Sequence, residues 1–410
     1  MRVLGPVAKR RRTAGSDAGK PAAMMDGGAD DFRLRGFFGG LDHRDGATGY
    51  RNDTTDWVPT ETVVATIPLG GRVHDVIASR DGEHVYVAQS DSVTVINSRH
   101  RIVAKIPVDG YPKNLALDAD GKQLFVIHYG GSVSVIDTLD YTVQTLCGGG
   151  ALDVVISPDG HHLYAAHDSI TGGGPHSEVS VIDIAGATTI TTVPVVNDVA
   201  ALALSTDGTY LYAISSDRRT YYQYPAGWLT IIDTKSRAVV DTIPVGACPE
   251  AIFVSPDGTW VYVTHYDTCS VSAVNLTTLA ATAVVLGDAP LALEFTPDGT
   301  HAYVTTVGSL TVIDTATNDA DDIVTGDLPR GVQISLDGKH AYITTFGDHT
   351  LSVVDTITNS VTAAVDVPGH PEAVAISPDG ERVYVGDYWA GAVTVISTPT
   401  VRDLHTDVAS

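Results

Sequence analysis

Three histidines hold one position of a recurring segment. His128, His167 and His265 each follow an aromatic residue, Phe125, Tyr164 or Tyr262, by three positions. Imidazole and carboxylate groups converging from several segments can hold a divalent ion or pass protons. The three histidines are therefore candidate metal ligands and, with Glu250 and Glu372, candidate catalytic groups. Asp387 takes the same position in the last segment, with Trp389 two residues on. His74, Asp75 and Asp153 lie at the starts of other segments as candidate ligand contacts, with Arg330 as a counter-charge. The same residues also suit a plain hydrogen-bonded polar rim.

Two further groups could carry chemistry. Cys248 and Cys269 could form a disulfide closing a loop of about 20 residues. With His265 they could contribute to a zinc site, or they are two free thiols. Arg218, Arg219, Tyr221, Tyr222 and Tyr224, with Trp228 just beyond, make an aromatic and arginine cluster. Such a cluster suits a planar or anionic ligand, or a protein contact. Other motifs are missing. The Gly148–Gly150 and Gly172–Gly174 runs lack the Lys-Ser/Thr of a phosphate loop, and no Gly-x-Ser-x-Gly or Cys-x-x-Cys occurs.

The elements that position these residues repeat. An Asp-Gly pair places its glycine at Gly82, Gly121, Gly160, Gly208, Gly258, Gly299, Gly338 and Gly380, in steps of 39, 39, 48, 50, 41, 39 and 42. A short apolar strand precedes each pair, as in Asp153–Ser157. A strand containing Tyr or Phe follows, as in Val261–Thr264. Then comes an alternating strand such as Val133–Thr138, and a fourth such as Ala238–Gly246. Alternation of period two with Val, Ile, Thr and Tyr predicts strands. Ser-Pro-Asp-Gly at Ser157–Gly160, Ser255–Gly258 and Ser377–Gly380 is turn chemistry. The Asp of each Ile-Asp-Thr or close variant (Asp137, Asp183, Asp233, Asp314, Asp355) reads as a turn cap, because it recurs. The two long steps are insertions between second and third strands, Asp168–Glu178 and Ser215–Gly227.

A unit of about 40 residues and four strands cannot bury both faces alone, and radial stacking of units solves this. The predicted fold is all-β: an eight-bladed β-propeller of four-stranded antiparallel blades. The last repeat stops after its third strand, Val393–Ile396, and an orphan strand, Thr62–Pro68, precedes the first. The orphan is predicted to complete the last blade and close the ring. Loops between blades and loops between second and third strands should then share one face, around the channel mouth, with the Asp-Gly turns opposite.

Over residues 61–398 the chain resembles the YVTN-repeat β-propellers, also called YncE-like or surface-antigen propellers. The matching pattern is Ser-Pro-Asp-Gly, then Tyr-Val-Thr, then Val-Ile-Asp-Thr, then a Val-Ala-x-Ile-Pro-Val-Gly strand. The resemblance implies a binding or surface protein. Related propellers include metal-dependent lactonases, streptogramin lyases and a haem-binding domain of nitrite reductases. Family members are often exported and seven-bladed. This chain has eight repeats and lacks the family's strand-two asparagine, so nothing depending on that residue carries over.

The formal charge of -24 over 410 residues argues against binding duplex nucleic acid and favours cationic partners, metal ions or simple solubility. Residues 1–57 read as a tail, with Lys9–Arg12 as its basic cluster, and residues 399–410 as a second tail. No apolar run is long enough to span a membrane. No leader is legible, which makes a cytoplasmic location the expectation, or export if the true start differs. The leading expectation is a binding or scaffold propeller offering its loop-rich mouth to a protein or small ligand. The alternative is a metal-dependent lactonase or lyase, with one divalent ion as its cofactor.

Overall fold

The computed structural model describes residues 61–148, 150–167, 177–216 and 225–398. No helix occurs among them. Among the described residues thirty-two strands form eight separate four-stranded sheets, every strand pair antiparallel. The sheets' innermost strands begin at Val73, Pro112, Asp153, Asp198, Ala251, Pro290, Pro329 and Pro371, and we number the blades 1 to 8 in that order. The fold is an eight-bladed β-propeller.

Blade 8 draws on both parts of the sequence. Its inner strands are Pro371–Ile376, Arg382–Asp387 and Ala392–Ser397, and Thr62–Pro68 pairs with the last of these. The register runs from Thr62 opposite Ser397 to Pro68 opposite Ala392, with a bulge between Val63 and Ala65. The orphan strand thus closes the ring as expected.

The core lies between blades. Among the described residues there are eight buried clusters, and each combines residues of two neighbouring blades. The second-strand aromatics Tyr86, Phe125, Tyr164, Tyr212, Tyr262, Tyr303, Tyr342 and Tyr384 are all buried in these seams. A buried phenol needs a partner, and the next blade supplies one, as blades 5 and 6 show. The Tyr262 and Tyr303 hydroxyls donate to Asn318 Oδ1 and Asn359 Oδ1, at 3.2 and 2.7 Å. At the seam between blades 8 and 1, Ile67 joins Val73, Val76 and Tyr384. Gly386 leaves room there, because a Cβ at that position would lie 2.6 Å from Val73 Cγ1.

Turn chemistry explains the repeat punctuation. In blade 5, Ser255 Oγ donates to Asp257 Oδ1 at 2.5 Å and accepts from the Trp260 amide at 2.9 Å. Gly258 follows at φ +70°, in the left-handed region that favours glycine. The strand-three aspartates cap their turns as expected. Asp137 accepts from the Leu139 amide, Asp314 from that of Ala316, and Asp355 from that of Ile357.

Adjacent innermost strands are also pinned by side chains. Asp75 accepts from its neighbour Val76 N at 2.9 Å and from Leu115 N of blade 2 at 2.8 Å. Asp153 does the same between Val154 N and Leu202 N of blade 4, at 2.8 Å each. Blades 6 and 7 have Ala292 and Gly331 at that repeat position and use a strand-two threonine instead. Thr305 accepts from Ala292 N and donates to the Arg330 carbonyl of blade 7. Thr344 accepts from Gly331 N and donates to the Glu372 carbonyl of blade 8. Asp153 is 4% exposed. Asp153→Ala strands the Leu202 amide in the core, and the expected loss is about 2 to 3 kcal/mol in a denaturant titration. A loss below about 0.5 kcal/mol would remove the pinning role.

Candidate functional site

The innermost strands enclose a central channel of about 940 Å³. Strand alternation sorts its wall. Pinning side chains such as Asp75 and Asp153 lie one residue after the position that forms the ring at the mouth. That ring position carries His74, Lys113, Glu250, Leu291, Arg330 and Glu372 in blades 1, 2, 5, 6, 7 and 8. Below it the wall is mostly apolar, with Val76, Leu115, Val154, Leu202, Ile252 and Leu293. The far end is lined by Arg80, Pro158, Thr206, Pro256 and Leu336 beside the Asp-Gly turns.

Glu372 is the most unusual residue of the mouth. It is 4% exposed, lines the channel, and neither carboxyl oxygen has a hydrogen-bond partner. Burial pushes its pKa up to about 9, against the opposing pull of the nearby Arg330 guanidinium; the Asp387 charge adds a smaller upward push. It is therefore a neutral carboxylic acid at neutral pH. The same burial lowers the pKa of Arg330, with Glu372 and Tyr266 acting against the shift. His74 has neither ring nitrogen hydrogen-bonded. Burial, and then the charges of Arg72 and Lys113, lower its pKa to about 4, so it is a neutral imidazole.

Aromatic side chains stand around these groups. Tyr129, Tyr266, Phe346 and Tyr388 occupy one repeat position, the residue just after the second strand of blades 2, 5, 7 and 8. His74 meets Tyr129 and Tyr388 edge-on, with centroids 5.8 and 5.3 Å away. Phe346 stacks on His370 at 4.5 Å. The protein's own cations cover several of these rings. Arg72 lies 5.1 and 4.8 Å from the Tyr388 and Trp389 centroids, Lys113 4.9 Å from Tyr129, and Arg330 5.5 Å from Phe346.

The candidate residues from the sequence separate into groups. His74, Asp75, Asp153, Glu250, Arg330 and Glu372 line the channel, although Asp75 and Asp153 already accept the pinning amides. The recurring histidines do not line it. His128 Nε2 bonds Ser134 Oγ at 2.9 Å inside its own blade. His265 uses both nitrogens, on the Ala247 carbonyl and Ser272 Oγ, each at 2.8 Å. His167 Nδ1 lies 3.2 Å from the Gly150 carbonyl. Asp387 is fully buried and accepts from the His370 and Ala390 amides. This repeat position locks the second strand to the adjoining loop and third strand. Among the described residues no three His, Cys, Asp or Glu side chains form a metal-binding group.

Cys248 and Cys269 are unbonded to each other in this structure. Cys269 turns to the Tyr266 carbonyl of its own loop, and burial with the Asp267 charge pushes the Cys248 thiol up to about 11. Trp228 is half-buried on the third strand of blade 4, and Trp389 is exposed beside Tyr388. Arg218, Arg219, Tyr221, Tyr222 and Tyr224 lie outside the described residues, as do both tails. The sequence reading missed the aromatic rim and Lys113. Their signal was available in repeat phase: the residue after each second strand, and the second residue of each first strand.

No family model and no curated protein matches this chain. Solved structures do. The C-terminal WD40 domain of Sif2 aligns with a TM-score of 0.66 at 9% identity, over 84% of this chain and 100% of that one. Hydrazine synthase of Kuenenia stuttgartiensis aligns with a TM-score of 0.54 at 21% identity, over 85% of this chain and 99% of that one. At these identities the likeness is one of fold. No helix among the described residues is long and apolar enough to cross a membrane.

Proposed function

We propose that this protein is a binding platform of the YVTN-repeat kind, which receives a small ligand or a segment of a protein partner at the mouth of its channel. The observation that carries the reading is Glu372, a buried carboxyl facing the channel with no hydrogen-bond partner. Leaving such a group unpaired costs on the order of 1 to 3 kcal/mol, and a ligand that satisfies it recovers that cost. The rigid ring supports the reading as well. Its pinned inner strands hold the mouth residues of several blades in fixed relation before anything binds, which lowers the entropic cost of binding. WD40 propellers, whose fold this chain shares, commonly serve as interaction platforms.

The test is a thermal-shift screen of small ligands, followed by hydrogen exchange on any hit. Protection is expected in the segments around His74, Arg330 and Glu372. Protection confined to the Asp-Gly turns would overturn the reading.

A second reading is supported by the protonation of Glu372. A carboxylic acid kept neutral at neutral pH can donate a proton, as a lactonase or lyase would require of its general acid. This reading predicts turnover on a lactone panel that Glu372→Gln reduces at least about a hundredfold. An inactive native protein, or an active variant, would sink it.

A further inference from the structure

We propose that the channel mouth takes a small planar carboxylate, its anionic group lodged between the Glu372 carboxyl and the Arg330 guanidinium. This rests on the platform reading and adds the ligand's charge and shape.

Charge is decided at the rim. Aromatic faces attract cations, but here Arg72, Lys113 and Arg330 already lie over Tyr388, Tyr129 and Phe346. An incoming cation meets covered faces and positive charge. Arg72 and Lys113 also disfavour a proton on His74. Three cations thus stand at the mouth, alongside Glu250, on a chain of formal charge -24.

The donors match one anion in particular. A protonated carboxyl offers a single O–H, and a guanidinium offers a planar fork. A carboxylate has lone pairs enough to accept from both. Glu372 is 4% exposed with both oxygens unpartnered, so its O–H is available to a ligand in the channel. Shape follows from the surroundings. Phe346, itself stacked on His370, lies under the Arg330 guanidinium and supports it. Leu291, Ala292 and Val332 line the adjoining channel. An apolar body packs against these channel side chains with its acid group at the ring, and the planar guanidinium fork favours a planar acid.

Calorimetry on the full chain with four probes tests this: benzoate, benzamide, phenyl phosphate and phenyltrimethylammonium. Benzoate is expected to bind at least about tenfold more tightly than benzamide or the ammonium. Arg330→Gln should weaken benzoate by about tenfold or more, while Arg80→Gln at the opposite end leaves it unchanged. If Arg330→Gln fails to fold, the ranking of probes on the native protein decides alone. Tighter binding of the ammonium overturns the carboxylate assignment and leaves the platform reading standing. A tenfold preference for phenyl phosphate overturns it in favour of a phosphate site. If none of the four binds at millimolar concentration, the assignment falls, and the ligand screen above judges the platform separately.

Discussion

Ile67→Asp is expected to cost about 4 kcal/mol or more and to loosen the ring at one seam. Ile67 is 7% exposed, faces Val393, and belongs to the cluster that joins blades 8 and 1. The substitution removes the buried aliphatic side chain and places a carboxylate where no partner exists. Val64→Asp is the control, because Val64 lies on the same strand but is 49% exposed. It should change stability by less than about 0.5 kcal/mol. Hydrogen exchange should rise first over residues 371–397 in the Ile67 variant. If both variants behave alike, the orphan strand does not lock the ring.

Glu372→Gln should stabilise the protein, although it alters a residue of the candidate site. The native carboxyl is held protonated up to about 9, whereas in the unfolded chain it ionises near the ordinary carboxylate value of about 4.5. Between those values the folded state carries the extra proton, so native stability falls as pH rises through that window. The accumulated loss is about 3 kcal/mol at pH 7 and grows towards pH 9. Glutamine has the same shape and no charge to desolvate. Denaturation midpoints for the two proteins should therefore coincide at about pH 4 and separate steadily above it. Parallel curves, or a variant that is weaker at alkaline pH, would show that Glu372 ionises freely. The cost of keeping this group fits a site whose demands oppose stability.

The architecture was legible because its signals repeat. Eight Asp-Gly turns, eight buried aromatics and one orphan strand specify the number of blades and the closure without knowledge of a single contact. The site was only partly legible, and the reason lies in the geometry of a strand. His74 and Asp75 are adjacent in sequence, yet Asp75 turns to the Leu115 amide of blade 2 while His74 packs between Tyr129 and Tyr388. A repeat pattern shows which residues are equivalent, but the partner across a seam belongs to a different repeat. His128 and His265 illustrate the same point. Their recurrence suggested ligands, whereas Ser134 and Ser272, on the following strands, each hold the Nε2 of one of them. Glu372 stood out only once its burial and its missing partner were visible together.

The pairing of Thr62 with Ser397 has an implication for engineering. The two ends of the ring lie side by side, on the outermost strand of blade 8 and on the strand next to it, so a short linker could join them. The backbone could then be reopened between any two blades, yielding circular permutants that keep every seam. Cargo fused at residue 62 or at residue 397 would hang from one spot on the outer edge, leaving the mouth unobstructed.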